Sequence, residues 1–170
     1  MARRDVLVTI RWSTEADAAA IARLHRDAWR NAYAGILPGV TLEGMVAARG
    51  PGWWRRFHQR GARALLVGLD EGPLGYATLG RARTAAQSPA GEIYELYLSP
   101  EAQGIGLGRA LFTEARARLA EHGLVETHVW ALADNEIGCR FYRALGGEEW
   151  RRGAQRIGAA AVARVGFRWS

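Results

Sequence analysis

The stretch EIYELYLSPEAQGIGLGRAL, residues 92–111, is the most informative part of this chain of 170 residues. An apolar run ends at Leu98, Ser99 and Pro100 interrupt it, and a glycine-rich turn then opens a second apolar pattern. Glycines let a backbone approach a ligand closely, and the first amides of a helix offer unpaired N–H groups at the positive end of the helix dipole. The stretch therefore predicts a strand, a turn and a helix that together hold a phosphate group.

The spacing within QGIGLGRAL, residues 103–111, excludes the two commonest phosphate-binding loops. A dinucleotide loop of the form GxGxxG or GxGxxA needs a small residue at position 109 or 111, where this chain has Arg109 and Leu111. A Walker loop needs Gly-Lys-Ser/Thr, and the chain contains no lysine at all. The ligand is therefore expected to be a phosphorylated cofactor of another kind.

The remaining pattern is Gln103, two residues, Gly106, one residue and Gly108. With it the chain resembles the GNAT superfamily of acyl-CoA-dependent N-acetyltransferases, whose signature is Gln/Arg-x-x-Gly-x-Gly/Ala. Asn135 and Tyr142 match a second landmark of the superfamily, Asn-x(6)-Tyr, and the order of predicted elements is similar over nearly the whole chain. The resemblance implies an α/β (α+β) fold with a mixed, mostly antiparallel sheet of about seven strands, helices on both faces and a central βαβ crossover.

Length and composition are compatible with one such domain. At 170 residues the chain can bury a core without disulfides or metals, so we expect a single N-acetyltransferase domain over residues 1–170. Cys139 is the only cysteine, which rules out an intrachain disulfide and favours a cytoplasmic location. Residues 1–12 contain no long apolar segment and no run of about eighteen apolar residues follows, so we expect no membrane partner.

The formal net charge of +6 at pH 7 has three explanations. Arginine without lysine, beside many alanines and glycines, is typical of a G+C-rich genome. Coenzyme A would itself attract positive charge, and a basic surface could bind nucleic acid. The sequence has no helix-turn-helix, zinc or RNA-binding motif, so we expect neither a nucleic acid partner nor a metal.

Hydrophobic periodicity predicts the other elements. Strands are predicted at residues 6–12, 64–69, 74–79, 92–98, 125–132 and 161–169, with a turn at residues 70–73 and a loop at residues 81–91. A capping box of Thr14 and Asp17 should start a helix that ends at Gly35 or Pro38. Further helices are predicted in two pieces over residues 41–59, from the glycine turn to residue 123, and over residues 136–145.

The resemblance implies that a primary amine attacks the thioester of acetyl-CoA directly, with acetyl-CoA as co-substrate and without an acyl-enzyme. The sequence agrees, because it has no GxSxG nucleophile elbow and Cys139 has no histidine near it in sequence. We interpret Cys139 as a core residue. An alkylamine with a pKa near 10.4 must lose a proton at pH 7, which costs about 4.6 kcal/mol, so a base or a water relay is expected.

Two glutamates and a tyrosine are the catalytic candidates. Glu92 ranks first as the base, because it lies eleven residues before Gln103, where some superfamily members carry their catalytic glutamate. Glu95 ranks second, because strand alternation sets it on the face opposite Glu92 unless a bulge intervenes. The alternative for both is a rim carboxylate without a catalytic role. Tyr142 would protonate the departing CoA thiolate, and its alternative is a packed tyrosine beside Phe141.

The resemblance also assigns the residues that bind acetyl-CoA, mainly through backbone amides. The candidates are Tyr97, Leu98, Gln103, Gly104, Ile105, Gly106, Leu107, Gly108, Arg109 and Asn135. Asn135 has two compatible roles, as a partner of the pantetheine arm or its neighbouring loop and as the N-cap of the last helix. The chain departs from the family at Gly147, where members commonly carry the second aromatic of Phe-Tyr-x-x-x-Gly-Phe, so packing near the acceptor cleft should differ.

The acceptor is predicted only as a class, a primary amine on a small molecule or on a protein. Candidates for the acceptor cleft or for ordinary core are the aromatics Trp29, Tyr33, Trp53, Trp54 and Phe57. Four arginines lie between and after these aromatics, namely Arg55, Arg56, Arg60 and Arg63. They are compatible with an acidic acceptor, with a nucleic acid surface or with a solvated helix face. The alternative to an enzyme is a non-catalytic acyl-CoA-binding sensor or partner module. A homodimer through the last strand is a further expectation.

Overall fold

The computed structural model describes residues 7–69, 72–83 and 89–170. Seven strands form one sheet, and α-helices flank it. The strands are β1 (Thr9–Trp12), β2 (Leu65–Leu69), β3 (Gly72–Arg81), β4 (Gly91–Leu98), β5 (Thr127–Leu132), β6 (Glu148–Ile157) and β7 (Ala160–Trp169). The helices are α1 (Ala18–Tyr33), α2 (Gly39–Ala48), α3 (Pro51–Gln59), α4 (Leu107–Glu121) and α5 (Glu136–Ala144).

The sheet has the order β1-β2-β3-β4-β5-β7-β6. All neighbouring strands are antiparallel except β4 and β5, which are parallel and are connected through α4. A parallel pair needs such a crossover, because a tight turn cannot return the chain to the same end of the sheet. The mixed, mostly antiparallel sheet and its central βαβ unit are thereby confirmed.

Each face of the sheet is covered by helices. On one face Leu111, Ala115 and Leu119 of α4 pack in a cluster with Ile93 and Val129 of the sheet. On the other face Ile21 of α1 and Trp54 of α3 pack with Leu66 and Tyr76. Burying each large apolar side chain contributes roughly 1.5–3 kcal/mol, so the four-residue spacing along α4 fixes which side of that helix meets the sheet.

The strands β4 and β5 separate after three residue pairs. They are paired at residues 91 to 93 of β4 and not beyond Ile93. On the other edge of β4, Thr78 of β3 pairs with Glu95 while the next residue, Leu79, pairs with Ile93, so Tyr94 is an extra residue in a β-bulge. Beyond this point β4 and β5 are no longer hydrogen-bonded to each other, and a gap opens between their facing edges.

The element boundaries agree with most of the predictions. Thr14 and Asp17 form the predicted capping box, although it caps a 3₁₀ turn, Glu15–Asp17, that leads into α1. The region of residues 41–59 forms two helices, as predicted. The second, α3, begins with Pro51, which is tolerated there because the N–H of the first helical residue has no partner within the helix. Parts of the predicted first strand, of the turn at residues 70–73 and of the loop at residues 81–91 lie outside the described residues, namely residues 6, 70–71 and 84–88.

One strand, β6, was not predicted. Only its last residue, Ile157, is buried, so the strand carries no alternating apolar pattern. It forms the edge of the sheet and pairs with β7, which is therefore hydrogen-bonded on both sides. The expectation of a dimer through the last strand is wrong in that form, because β7 has no free edge to offer. Within the described part of the chain, no helix is both long and apolar enough to cross a membrane.

Candidate active site

The turn between β4 and α4 has a backbone that requires glycine. Gly104 has a φ of 78° and Gly106 a φ of 92°, in the left-handed region where a side chain is strained. Gly106 is the N-cap of α4, so the N–H groups of Leu107, Gly108 and Arg109 fall in the first turn of the helix and have no partner within it. The turn thus carries a set of unpaired amides at the positive end of a helix dipole.

Gly108 is glycine for a different reason, which is close packing. A Cβ atom at this position would lie 3.2 Å from the Phe141 ring and 3.3 Å from Cδ1 of Leu98. The start of α4 therefore touches both the end of β4 and α5. These three elements meet at the mouth of the gap between β4 and β5.

The gap is a cavity of about 450 Å³. Its lining includes most of the predicted site residues: Glu95, Tyr97, Leu98, Gln103, Gly104, Gly106, Gly108, Arg109, Asn135 and Tyr142. Two predicted cofactor residues do not line it, because the Ile105 side chain is exposed to solvent and Leu107 is buried in the core below α4. These two can contribute only backbone groups.

Asn135 is the N-cap of α5. Its side-chain Oδ1 accepts a hydrogen bond from the backbone N–H of Gly138 at 3.1 Å. The capping role predicted from the sequence is thereby confirmed. The cap uses the oxygen of the side-chain amide and not its nitrogen, and the residue also lines the cavity.

Tyr142 lies at the inner wall of the cavity, on α5. Its ring packs against Phe167 at 5.6 Å and Phe112 at 6.3 Å between centroids, and only 8% of the residue is exposed. Burial raises the pKa of the Tyr142 hydroxyl, so the group is protonated at neutral pH and can donate a proton or a hydrogen bond. One turn earlier Cys139 is buried, and burial raises the pKa of its thiol, as fits a core residue.

Glu92, which ranked first as the base, does not line this cavity. It is 1% exposed and accepts hydrogen bonds from the backbone N–H of Arg83 at 2.8 Å and from its guanidinium at 2.7 Å. The physical reason is its position on β4, opposite His128 of β5, where the two strands are still paired. The structure therefore does not bring Glu92 to Tyr142 or to the glycine turn.

Glu95 follows the bulge and lines the cavity. The extra residue in β4 places Glu95 on the same face of the sheet as Glu92. Strict alternation would have placed the two on opposite faces, and the bulge is the exception that the sequence-based prediction allowed. One carboxylate oxygen accepts a short hydrogen bond from the guanidinium of Arg49, and the other accepts one from the Tyr76 hydroxyl at 2.9 Å. The Arg49 guanidinium lies 4.7 Å from the centroid of the Trp53 ring, which holds it in place.

Behind Glu95 lies a buried hydrogen-bond chain. Nδ1 of His25 is 2.9 Å from the Tyr76 hydroxyl. Because Tyr76 donates its single proton to Glu95, His25 must donate from Nδ1, and its Nε2 is then an acceptor that has no partner among the described residues. Burial, with a smaller effect of Arg49, lowers the pKa of His25 to about 3, so the imidazole is neutral at physiological pH. The ion pair of Glu95 and Arg49 is thus backed by neutral groups.

A second cavity of about 170 Å³ adjoins the first. The two share Tyr33, Tyr94, Glu95, Tyr97, Trp130 and Ala131 in their linings. The hydroxyls of Tyr33 and Tyr97 are 2.6 Å apart at this junction. The second cavity also has three arginines in its wall, Arg49, Arg83 and Arg164. Glu95 therefore lies between a cleft with a glycine turn and a smaller, basic pocket.

The other predicted aromatics and arginines are divided between the site and the core. Trp29 and Tyr33 line the second cavity, whereas Trp54 and Phe57 pack in the core between α1, α3 and the sheet. The exposed arginines match the solvated helix face: Arg55, Arg56, Arg60 and Arg63. At the family departure, a Cβ on Gly147 would lie 2.5 Å from the Trp169 ring, so the Trp169 indole occupies the space beside this residue.

Several residues of the site were not singled out from the sequence: Arg49, Tyr76, His25, Trp130 and Arg164. Their partners lie tens of residues away, for example 46 positions between Arg49 and Glu95 and 51 between His25 and Tyr76. Nothing local in the sequence marks them. Over the described residues, no group of His, Cys, Asp and Glu side chains is arranged to hold a metal ion.

Comparisons with known proteins show which family this chain belongs to. The sequence profile of the Acetyltransferase (GNAT) family matches residues 19–146. YuaI of Bacillus subtilis, named as an uncharacterized N-acetyltransferase, is 30% identical over 165 residues, which cover 96% of this chain and 93% of that protein. Mycothiol acetyltransferase of Kocuria rhizophila is 36% identical over 115 residues, which cover 65% of this chain but only 36% of that protein.

Among solved structures, the PaiA N-acetyltransferase of Thermoplasma acidophilum in complex with coenzyme A is similar to this chain with a TM-score of 0.74. The match covers 93% of this chain and 98% of that one at 20% sequence identity. The similarity at this identity concerns the fold.

Proposed function

Because this chain belongs to the Acetyltransferase (GNAT) family and is an acyl-CoA-dependent N-acetyltransferase with acetyl-CoA as its co-substrate, we propose that it acetylates a primary amine by direct attack. The observation that carries the proposal is that the glycine turn, Glu95 and Tyr142 line one cavity. They come from β4, the start of α4 and α5, which the gap between β4 and β5 brings together. We propose that the whole chain acts as one acetyltransferase domain.

The residues around the gap fit coenzyme A. The amides of the first turn of α4 would bind the pyrophosphate, since they have no helical partner and lie at the positive end of the dipole. The end of β4 at Tyr97 and Leu98 has no strand partner on the side of β5, so its backbone can pair with the amide groups of pantetheine. Asn135 would donate from its side-chain nitrogen to the same arm. When bound, acetyl-CoA supplies the thioester that the amine attacks.

We assign the base to Glu95 rather than to Glu92. The Glu95 side chain is 14% exposed and lines both cavities. Glu92 lines neither cavity and forms an ion pair with Arg83. An ammonium group at the junction of the cavities would meet the Glu95 carboxylate and lose its proton there, directly or through a water molecule. Arg49 and Tyr76 hold the carboxylate in place for this step.

We assign the acid to Tyr142. A CoA thiol resembles a cysteine thiol with a pKa near 8.5, against about 10 for an ordinary tyrosine, so proton transfer from tyrosine to the thiolate is uphill by roughly 2 kcal/mol. Burial raises the pKa of Tyr142 and so adds to this difference. A thiolate in the same buried cleft is also desolvated, which raises its proton affinity and offsets the change.

The acceptor we propose is a small molecule rather than a protein. The mycothiol acetyltransferase relatives support a small acceptor, although this chain spans only about a third of their length. The second cavity of about 170 Å³ is also of a size for a small group. The cytoplasmic location favoured by the single cysteine stays a prediction.

The proposal is tested by measuring thioester consumption with acetyl-CoA and a panel of small primary amines. We expect amine-dependent release of free CoA thiol and an acetylated amine by mass spectrometry. Coenzyme A binding without turnover of any amine in the panel would favour the non-catalytic sensor instead. Salt-dependent binding to random DNA would favour the nucleic acid alternative.

Replacing Glu95 by glutamine should lower kcat at least 100-fold, because the amide cannot accept the ammonium proton. The matched control is Glu92→Gln on the same strand, which we expect to retain kcat within about fivefold. Both variants are compared by steady-state kinetics after thermal unfolding has shown that they are folded. A large loss of kcat in Glu92→Gln together with a small loss of kcat in Glu95→Gln would identify Glu92 as the base.

A further inference from the structure

We propose that the acceptor carries an anionic group, a carboxylate or a phosphate, and that Arg164 binds this group in the second cavity while the amine lies at Glu95. The inference rests on the proposed acetyl transfer and extends it to the chemical class of the substrate. It assigns a binding role to an arginine of β7 that lies outside the glycine turn and both family landmarks.

The charges in the wall of the second cavity do not balance. Arg49 forms an ion pair with Glu95, and Arg83 forms one with Glu92. Arg164 takes part in no ion pair among the residues that the structure describes. Glu95 is the one carboxylate in the described lining. Among the described lining residues, Arg164 is therefore the one arginine without a carboxylate partner.

Arg164 is held by an aromatic ring rather than by a carboxylate. Its guanidinium carbon lies 4.0 Å from the centroid of the Trp130 ring. On the sheet Trp130 is directly opposite Gly166, and a Cβ at Gly166 would lie 3.2 Å from the Trp130 ring, so the missing side chain gives the indole its place. A guanidinium stacked on an indole face is fixed in orientation, and its planar edge can still donate hydrogen bonds.

One hydrogen-bond donor of Arg164, the Nε–H group, is buried and is also unpaired among the described residues. Gln155 of β6 lies in the same wall and can donate from its side-chain amide. A planar guanidinium fits a carboxylate or a phosphate group through paired N–H···O bonds. A bound anion would therefore neutralise the charge of Arg164 and accept its hydrogen bonds.

The two ends of the pocket have opposite charge preferences. Glu95 attracts an ammonium group at the junction with the first cavity, and Arg164 attracts an anion in the second cavity. The volume of about 170 Å³ equals that of roughly five or six water molecules. The pocket thus fits a small amine that has its anionic group only a few bonds away, as in an amino acid or an aminoalkyl phosphate.

The test compares matched acceptors that differ in this charge. Each amino acid is paired with its amino alcohol, in which a hydroxymethyl group replaces the carboxylate, and O-phosphoethanolamine is paired with ethanolamine. Binding to the enzyme saturated with CoA is measured by thermal shift at constant ionic strength, and turnover with acetyl-CoA is measured in parallel. We expect at least one anionic member to bind and react at least tenfold better than its partner, and the winning pair identifies carboxylate or phosphate.

Arg164→Gln should reduce this preference at least tenfold by weakening the anionic member and leave the uncharged member within about twofold. Arg168→Gln is the matched control, on the same strand but paired with Glu148 outside both cavities, and should keep the preference. Equal binding within every pair, no binding by any anionic member, or an equal loss for both members in Arg164→Gln would overturn the inference. Failure of acetyl transfer itself is distinguishable, because then no amine reacts while CoA still shifts the melting temperature.

Discussion

Gly108→Glu is expected to weaken the binding of coenzyme A at least 100-fold. A Cβ atom alone would press on the Phe141 ring and on Leu98, and the carboxylate would project a negative charge toward amides that bind a pyrophosphate. The affinity is measured by calorimetric titration of CoA into the folded protein.

The control for this substitution is Gly44→Glu on α2. No atom lies within 4 Å of a Cβ at Gly44, and the residue is exposed and outside both cavities. It should bind CoA as the unsubstituted chain does, within about twofold. If Gly108→Glu binds CoA with unchanged affinity, the pyrophosphate does not lie at the start of α4.

Tyr142→Phe is expected to lower kcat by a factor of about 100 to 1,000, while the affinity for CoA changes less than about threefold. The substitution removes only the hydroxyl and keeps the ring that packs on Phe112 and Phe167. A general acid typically contributes 100-fold or more, and loss of an interaction made only during the reaction lowers kcat rather than binding. Steady-state release of CoA thiol and a CoA titration measure the two quantities separately.

An unchanged rate in Tyr142→Phe would assign the residue to packing alone. A loss of CoA affinity as large as the loss of rate would make the hydroxyl a binding group and not the acid. The packing role has structural support of its own, since the Tyr142 ring contacts Phe112, Phe167 and Trp169 at once.

The local elements of the fold were readable from the sequence because their causes are local. Glycines at positions 104 and 106 are required by their positive φ, and the four-residue spacing of α4 matches its buried side. The strand β6 was not readable, because an edge strand that is exposed at eight of its ten residues needs no alternating apolar pattern. Its partner β7 has a buried end and was predicted.

The choice between the two glutamates could not be made from the sequence. The bulge at Tyr94 and the separation of β4 from β5 depend on how β3 and β5 pair with β4, which are contacts between distant segments. Together they place Glu95 in the cleft and leave Glu92 beneath Arg83. The same holds for Arg49 and for Arg164, whose partners Glu95 and Trp130 are set by tertiary structure alone.

In the proposed function, the amides at the start of α4 bind the pyrophosphate of the co-substrate beside Tyr142. The most direct measurement is a titration of the isotope-labelled protein with coenzyme A, followed by backbone amide chemical shifts. We expect the largest shifts on residues 103–109, with further shifts on Leu98 and at Tyr142. Saturating CoA that leaves residues 103–109 unmoved, with its largest effects on the exposed arginines of α3 or on β6, would contradict it.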